Sequence, residues 1–165
     1  MEFRKYEEKD AQEIIKWISN EREFRLWSAD RYDKYPVSEE DINNNYHESE
    51  KISKFYPMTM VENGNIVGHM IIRYPSNEKN AVRFGFIIVN SKIRGKGYGK
   101  KLILEGIKYA IEILRCDEIS LGVFDINENA LMCYKSVGFY KVDEIKNAYQ
   151  YNDENWNQIE MILKK

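Results

Sequence analysis

One mixed α/β domain is what this sequence predicts: a central, largely antiparallel sheet of six or seven strands, flanked by about four helices. Three observations predict it. The front of the chain carries β-rich runs joined by a hairpin signal, and the second half alternates strand, helix, strand, helix, strand. No internal repeat, linker or low-complexity tract divides the two halves, and 165 residues with 43% hydrophobic content suffice to bury a single core.

The elements follow in order. Phe3 to Tyr6 reads as a short first strand. Asp10 then offers an N-cap with Glu13 at the capping-box position, and Ala11, Ile14, Ile15 and Ile18 repeat at helical spacing through Asn20. From Glu21 to Phe55 the pattern loosens: Phe24, Leu26, Trp27, Tyr32 and Tyr35 are scattered among charges and Pro36 interrupts, before Ser38 and Asp41 cap a helix reaching about Glu50. Tyr56 to Val61 and Ile66 to Tyr74 are β-rich runs joined by Glu62-Asn63-Gly64-Asn65, where Asn-Gly tolerates the positive φ angles of a tight hairpin. Pro75 to Lys79 makes the next turn, and Ala81 to Val89 forms a further strand. Behind it Ile103, Ile107, Ala110, Ile111 and Leu114 step along one helical face to Cys116. Ile119 to Phe124 is the next strand and Asn127 to Val137 a short helix stopped by Gly138. Two last strands, about Phe139 to Tyr151 and Trp156 to Leu163, flank the polar turn Asn152 to Asn155.

Composition narrows the function classes. No eighteen-residue apolar run and no basic-then-apolar leader at Met1 are present, so a cytoplasmic protein without membrane contact is expected. Net charge of -2 gives no general attraction for nucleic acid. Cys116 and Cys133 lack CxxC or Cys/His spacing and call for neither a metal nor a disulfide, so no metal is expected.

The chemistry concentrates in Val89-Asn90-Ser91-Lys92-Ile93-Arg94-Gly95-Lys96-Gly97-Tyr98-Gly99-Lys100-Lys101. Here a strand runs into a loop with three alternate glycines, and a helix begins directly behind. Glycine lets successive backbone N–H groups turn toward one point, and the new helix adds unpaired amides and its positive dipole end. Five cations fall in this stretch, and no Asp or Glu occurs between Glu78 and Glu105, so the loop suits a polyanion. A nucleoside-triphosphate loop fails, because Gly99-Lys100 is followed by Lys101 rather than Ser or Thr. A dinucleotide fingerprint needs a third glycine where Lys100 stands, although Asp117 and Glu118 lie where a ribose-binding acid would be. That dinucleotide-binding reading stays open as an alternative. The remaining reading is RxxGxG, filled by Arg94, Gly97 and Gly99.

With that motif, and with Asn127-Glu128-Asn129-Ala130 leading into Tyr134-Lys135-Ser136-Val137-Gly138-Phe139, the segment from Tyr56 onward resembles the GNAT family of N-acetyltransferases. The resemblance implies a GNAT-like fold that binds acetyl-coenzyme A as co-substrate. Backbone amides of Arg94, Gly95, Lys96, Gly97, Tyr98, Gly99 and Lys100 would wrap the pyrophosphate, with charge added by Arg94 and Lys100. Ile87 and Ile88 would line the pantetheine arm where the strand splays at a bulge, and the Val89 amide would face the thioester carbonyl. Asn127 would reach the coenzyme, with Asn129 and Ala130 beside it, although a helix cap also explains Asn127. Tyr134 would be the general acid toward the departing thiolate, or else a buried structural tyrosine.

Relatives often place a general base Glu six residues before the residue matched by Val89, and here Arg83 stands there. A water chain, a backbone carbonyl, Asp125 or His69 are the substitutes, with His69 more typical of a core histidine. The resemblance implies transfer to a primary amine of a small molecule, peptide or protein N-terminus, with no covalent enzyme intermediate, and leaves a homodimer open. The aromatics between Phe24 and Tyr35 are either specificity residues or a satellite core. Glu39, Glu40, Asp41, Glu48 and Glu50 either attract a cationic acceptor or form a solvated helix face. A catalytically silent acyl-coenzyme A sensor is the alternative that the Arg83 departure keeps open.

Overall fold

Strands form on the β-rich runs, and the computed structural model, which describes residues 1–77 and 79–165, joins them into one sheet. They are β1 (Glu2–Lys5), β2 (Phe55–Glu62), β3 (Asn65–Arg73), β4 (Ala81–Val89), β5 (Glu118–Phe124), β6 (Tyr140–Tyr151) and β7 (Glu154–Lys164). Their spatial order is β1-β2-β3-β4-β5-β7-β6. Every neighbouring pair is antiparallel except β4 with β5. The mixed, largely antiparallel sheet is therefore as expected. A doubly wound dinucleotide fold needs a run of parallel strands, and the single parallel pair contradicts that alternative. The β2–β3 turn takes Asn63 and Gly64 to φ of 51° and 79°, the twist that an Asn-Gly hairpin requires. The turn expected over 75–79 includes position 78, which lies outside the described residues.

Among the described residues five α-helices flank the sheet: α1 (Ala11–Ile14), α2 (Glu21–Ser28), α3 (Glu39–Ile52), α4 (Tyr98–Lys108) and α5 (Glu128–Ser136). The predicted capping box of α3 is present, with Ser38 Oγ accepting from the Asp41 amide and Asp41 accepting from the Ser38 amide. The first helix departs from expectation. It breaks into 3-10 turns on either side of α1, and Asp10 does not cap it. Its carboxylate instead accepts from both Arg4 guanidinium nitrogens, at 2.8 and 2.9 Å, from Thr59 Oγ1 and from the Glu7 amide. Burial pushes the Asp10 pKa up, but the hydrogen bonds from Arg4, Glu7 and Thr59 outweigh it and leave the group below its ordinary value. Helix α2 falls where no helix is expected, because eight residues with three apolar ones, Phe24, Leu26 and Trp27, are too short a run for a helical period to be told from a loose pattern.

Successive residues of β3 point to opposite faces and sort into two cores. Met70 and Ile72 join the cluster under α4, while Ile71 joins the one under the N-terminal helices with Phe86 and Ile88. Gly106 lets α4 lie close on the first face, since a Cβ there would sit 2.8 Å from Met70 Sδ. No helix among the described residues is long and apolar enough to cross a membrane.

Candidate active site

The site follows from how β4 parts from its neighbours. It pairs with β5 only at Ala81, Val82 and Arg83, so the edge of β4 from Phe84 to Val89 has no strand beside it on that side. Toward β3 the register shifts between His69 and Ile71, where Phe86 and Ile87 face the single residue Met70. Phe86 takes a φ of 46° there, the left-handed value of a β-bulge. Beyond the bulge the Asn90 amide donates to the Val67 carbonyl. Backbone groups alternate along an antiparallel ladder, so Val89 turns its own amide and carbonyl away from β3. The wedge holds a cavity of about 360 Å³, with Trp17, Ile18, Leu26 and Trp27 of the N-terminal segment as its roof.

At the open end, Gly95 and Gly97 have φ of 77° and 85°, and Gly97 occupies the N-cap of α4 without side-chain capping. The first amide satisfied within that turn is that of Lys101, bonded to the Gly97 carbonyl at 3.1 Å. Among the described residues no hydrogen bond engages the amides of Gly95 to Lys100. A loop with free donors at a helix N-terminus, flanked by the exposed Lys96 and Lys100, fits a diphosphate.

The cavity brings together Ile87, Ile88, Val89, Arg94, Asn127, Asn129 and Tyr134. Asn127 opens α5 but makes no side-chain cap, so the helix-cap explanation fails and its amide group is left in the cavity wall. Tyr134 is buried, and that burial pushes its phenol well above the ordinary range, so it stays protonated. Arg94 is folded inward: Nη2 donates to the Trp17 carbonyl at 3.0 Å, Nε to the Val89 carbonyl at 3.3 Å, and Nη1 reaches Glu23 at 3.5 Å. It ties the loop to the roof. Gly95, Lys96, Gly97, Gly99 and Lys100 form the rim beyond the cavity wall, Tyr98 turns its hydroxyl to Glu62, and Ala130 packs on the core under α4.

A model described as the acetyltransferase (GNAT) family matches residues 11–139. This chain belongs to the GNAT family. A spermine/spermidine N(1)-acetyltransferase of Bacillus subtilis (strain 168) is 29% identical over 90 residues, which are 52% of this chain and 59% of that protein. An N-terminal acetyltransferase complex ARD1 subunit homolog of Dictyostelium discoideum is 27% identical over 103 residues, 62% of this chain and 51% of its own length. The chain thus spans between half and three-fifths of the curated relatives it matches. A solved spermidine N-acetyltransferase from Vibrio cholerae, in complex with CoA and spermine, has a TM-score of 0.82 at 19% identity, over 99% of this chain and 94% of that one. At that identity the likeness concerns the fold.

Within this GNAT fold the candidate bases sort clearly. Arg83 forms a two-pronged ion pair with Glu160 of β7, at 2.7 and 2.9 Å, and Gln158 donates to the same carboxylate. Asp125 is held by the backbone and side-chain nitrogens of Asn157 and is not in the cavity wall. His69 is fully buried outside the cavity, with Nε2 2.7 Å from the Tyr46 hydroxyl, and burial lowers its pKa to about 3. It is a core histidine. His47 pairs with Glu8 on the surface. Sequence reasoning missed Glu23, Arg31, Arg73 and Gln158, all of which line the cavity. Arg73 and Gln158 are single polar residues in β-rich runs and acquire meaning from the pairing register, while Glu23 and Arg31 reach the cavity only through the packing of α2 and the segment after it. The aromatics of the loose segment divide: Trp27 lines the cavity beside Leu26, while Phe24, Tyr32 and Tyr35 build the second core.

Proposed function

We propose that this chain is an acetyl-coenzyme A-dependent N-acetyltransferase, moving the acetyl group to a small-molecule or peptide amine by direct attack on the thioester. The observation that carries this reading is the unpaired edge of β4, which runs from a bulge at Phe86 to Val89 and ends in a loop of free amides.

In this reading the amides of Gly95 to Lys100 hold the diphosphate, and the Ile87–Val89 edge pairs with the pantetheine arm. The Val89 amide lies along that edge as the donor for charge developing on the thioester oxygen, where a preorganised N–H acts best. The Asn127 side chain orients the arm from the facing strand end. Tyr134, held protonated, is placed as the hydrogen-bond donor and proton source for the departing sulfur; because a thiol's reference pKa of about 8.5 lies below that of a phenol, the transfer is uphill, and the phenol is reprotonated by the proton that the amine releases. An ammonium with a pKa near 10.4 must lose a proton first, at a cost of about 4–5 kcal/mol at pH 7. Glu160 is bound by Arg83 and Gln158 and does not line the cavity, whereas Glu23 does line it, held by the Ser19 amide and by a looser 3.5 Å contact with Arg94, and is the candidate that takes this proton through water.

Free-thiol release from acetyl-coenzyme A across a panel of amines tests the reading. Release that depends on an amine supports it, whereas coenzyme A binding with no turnover on any amine would make the chain a silent sensor instead.

A further inference from the structure

The end of the cavity away from the glycine loop is walled by arginines. Arg73 of β3 and Arg83 of β4 are direct cross-strand partners, and Arg31, just beyond α2, lies 5.7 Å over the Phe86 ring. All three line the same cavity. Like charges placed opposite each other across a ladder destabilise a sheet, so this placement needs a compensating partner. Glu160 pairs directly with Arg83 through the two-pronged pair described above, and its charge reaches Arg73 only as the smallest of the influences on that group. Arg73 is half-buried and has no hydrogen bond or ion pair among the described residues. Among the described residues the Arg31 guanidinium contacts the Ser28 carbonyl, at 3.5 Å, and the Phe86 ring, and forms no ion pair. Burial, then the charges of Arg83 and Arg31, hold Arg73 below its ordinary pKa, which places the three guanidinium groups within each other's field.

Among the described residues, Glu23 is the one carboxylate that lines the cavity. Glu23 is turned to the Ser19 amide and to Arg94 at the other end. The acidic residues of α3 that could have drawn in a cationic acceptor are elsewhere: Glu39, Glu40, Glu48 and Glu50 are exposed and none lines the cavity. A polyamine bound by one end would aim its remaining ammonium groups at Arg73 and Arg31.

We propose that the amine acceptor carries an oxyanion group, carboxylate or phosphate, held by Arg73 and Arg31, with Arg83 fixed beside them by Glu160. Guanidinium groups match both oxyanions through paired N–H donors, and a half-buried one is poorly hydrated and binds them the more strongly. The inference rests on the N-acetyltransferase reading above and makes Arg73 a specificity residue at the end of β4 remote from the diphosphate loop.

Matched acceptor pairs test it in the purified chain at saturating acetyl-coenzyme A, by thiol release: amino acids against their amides, phosphoethanolamine against ethanolamine, and spermidine and putrescine alongside. The expected result is that an anionic member exceeds its neutral partner at least tenfold in kcat/KM, and the pair that responds tells carboxylate from phosphate. Arg73→Gln is expected to collapse that ratio toward one through KM, with coenzyme A affinity unchanged and a melting temperature no lower than that of the parent chain. If spermidine or putrescine outperforms every anionic amine, or if Arg73→Gln leaves the ratio intact, the inference is overturned while the acetyltransferase reading stands. Coenzyme A binding without thiol release on any amine overturns both.

Discussion

His69 and Tyr134 are both buried, and burial gives them opposite uses. Desolvation keeps the His69 imidazole neutral, with a pKa of about 3 against roughly 6.5 in an unfolded chain. The unfolded state then binds the extra proton, so this residue's contribution to stability is complete above about pH 6.5 and is lost as pH falls toward 3. At pH 5 the loss amounts to about 2 kcal/mol. Urea midpoints at pH 7.5 and 5.0 should therefore fall further apart in the parent chain than in His69→Gln, which has no proton to gain; equal shifts would show that His69 is not buried neutral. For Tyr134 the same burial keeps the phenol protonated, so its O–H remains a donor at neutral pH although it is a weaker acid than a free phenol. Tyr134→Phe is expected to lower kcat at least tenfold with coenzyme A affinity nearly unchanged, and wild-type turnover would remove Tyr134 from the chemistry. Tyr134, Asn127, Val89 and Arg94 were legible because they sit at fixed spacing around glycine motifs. Arg73 was not, since a lone arginine at the end of an apolar strand acquires meaning only from its partner across the ladder.

At the scale of elements, period and turn chemistry carried most of the fold. Strand β4 occupies Ala81–Val89 as expected, α3 begins at its capping box, and Gly138 follows α5 with φ of 107°. What stayed hidden was the bulge. Phe86 adopts positive φ in the middle of an apolar run, and no local residue choice announces it; it accompanies the register shift against β3 between His69 and Ile71. The five-residue π turn at Tyr109–Ile113 was equally silent, because its side chains keep the apolar spacing of the helix before it. Close approach of α4 to the sheet does have a sequence mark, in Gly106. Gly106→Val would drive a side chain into Met70 and Phe84, and a loss of about 1–3 kcal/mol in denaturant unfolding is expected. A variant as stable as the parent would mean that α4 stands further from β3 and β4 than described.

The whole molecule is a sheet opened along one seam. Strand β7 lies between β5 and β6 and pairs with every residue of β5, whereas β4 pairs with β5 only at Ala81–Arg83, so the sheet opens between β4 and β5 beyond Arg83. The N-terminal segment roofs the wedge, and Arg94 ties that roof to the loop through the Trp17 carbonyl and Glu23. The family, the strand sequence and the loop were readable in advance, whereas the roof and the arginine wall depend on contacts between residues far apart in the chain. The central claim is that main-chain donors behind β4 hold a diphosphate, and calorimetric titration of coenzyme A into the purified chain addresses it most directly. One coenzyme A bound per chain is predicted, with affinity falling at least tenfold when Gly97→Val forces a side chain onto a backbone φ of 85°. No heat of binding to the parent chain, or undiminished binding when Gly97→Val and Arg94→Glu are combined, would contradict the account.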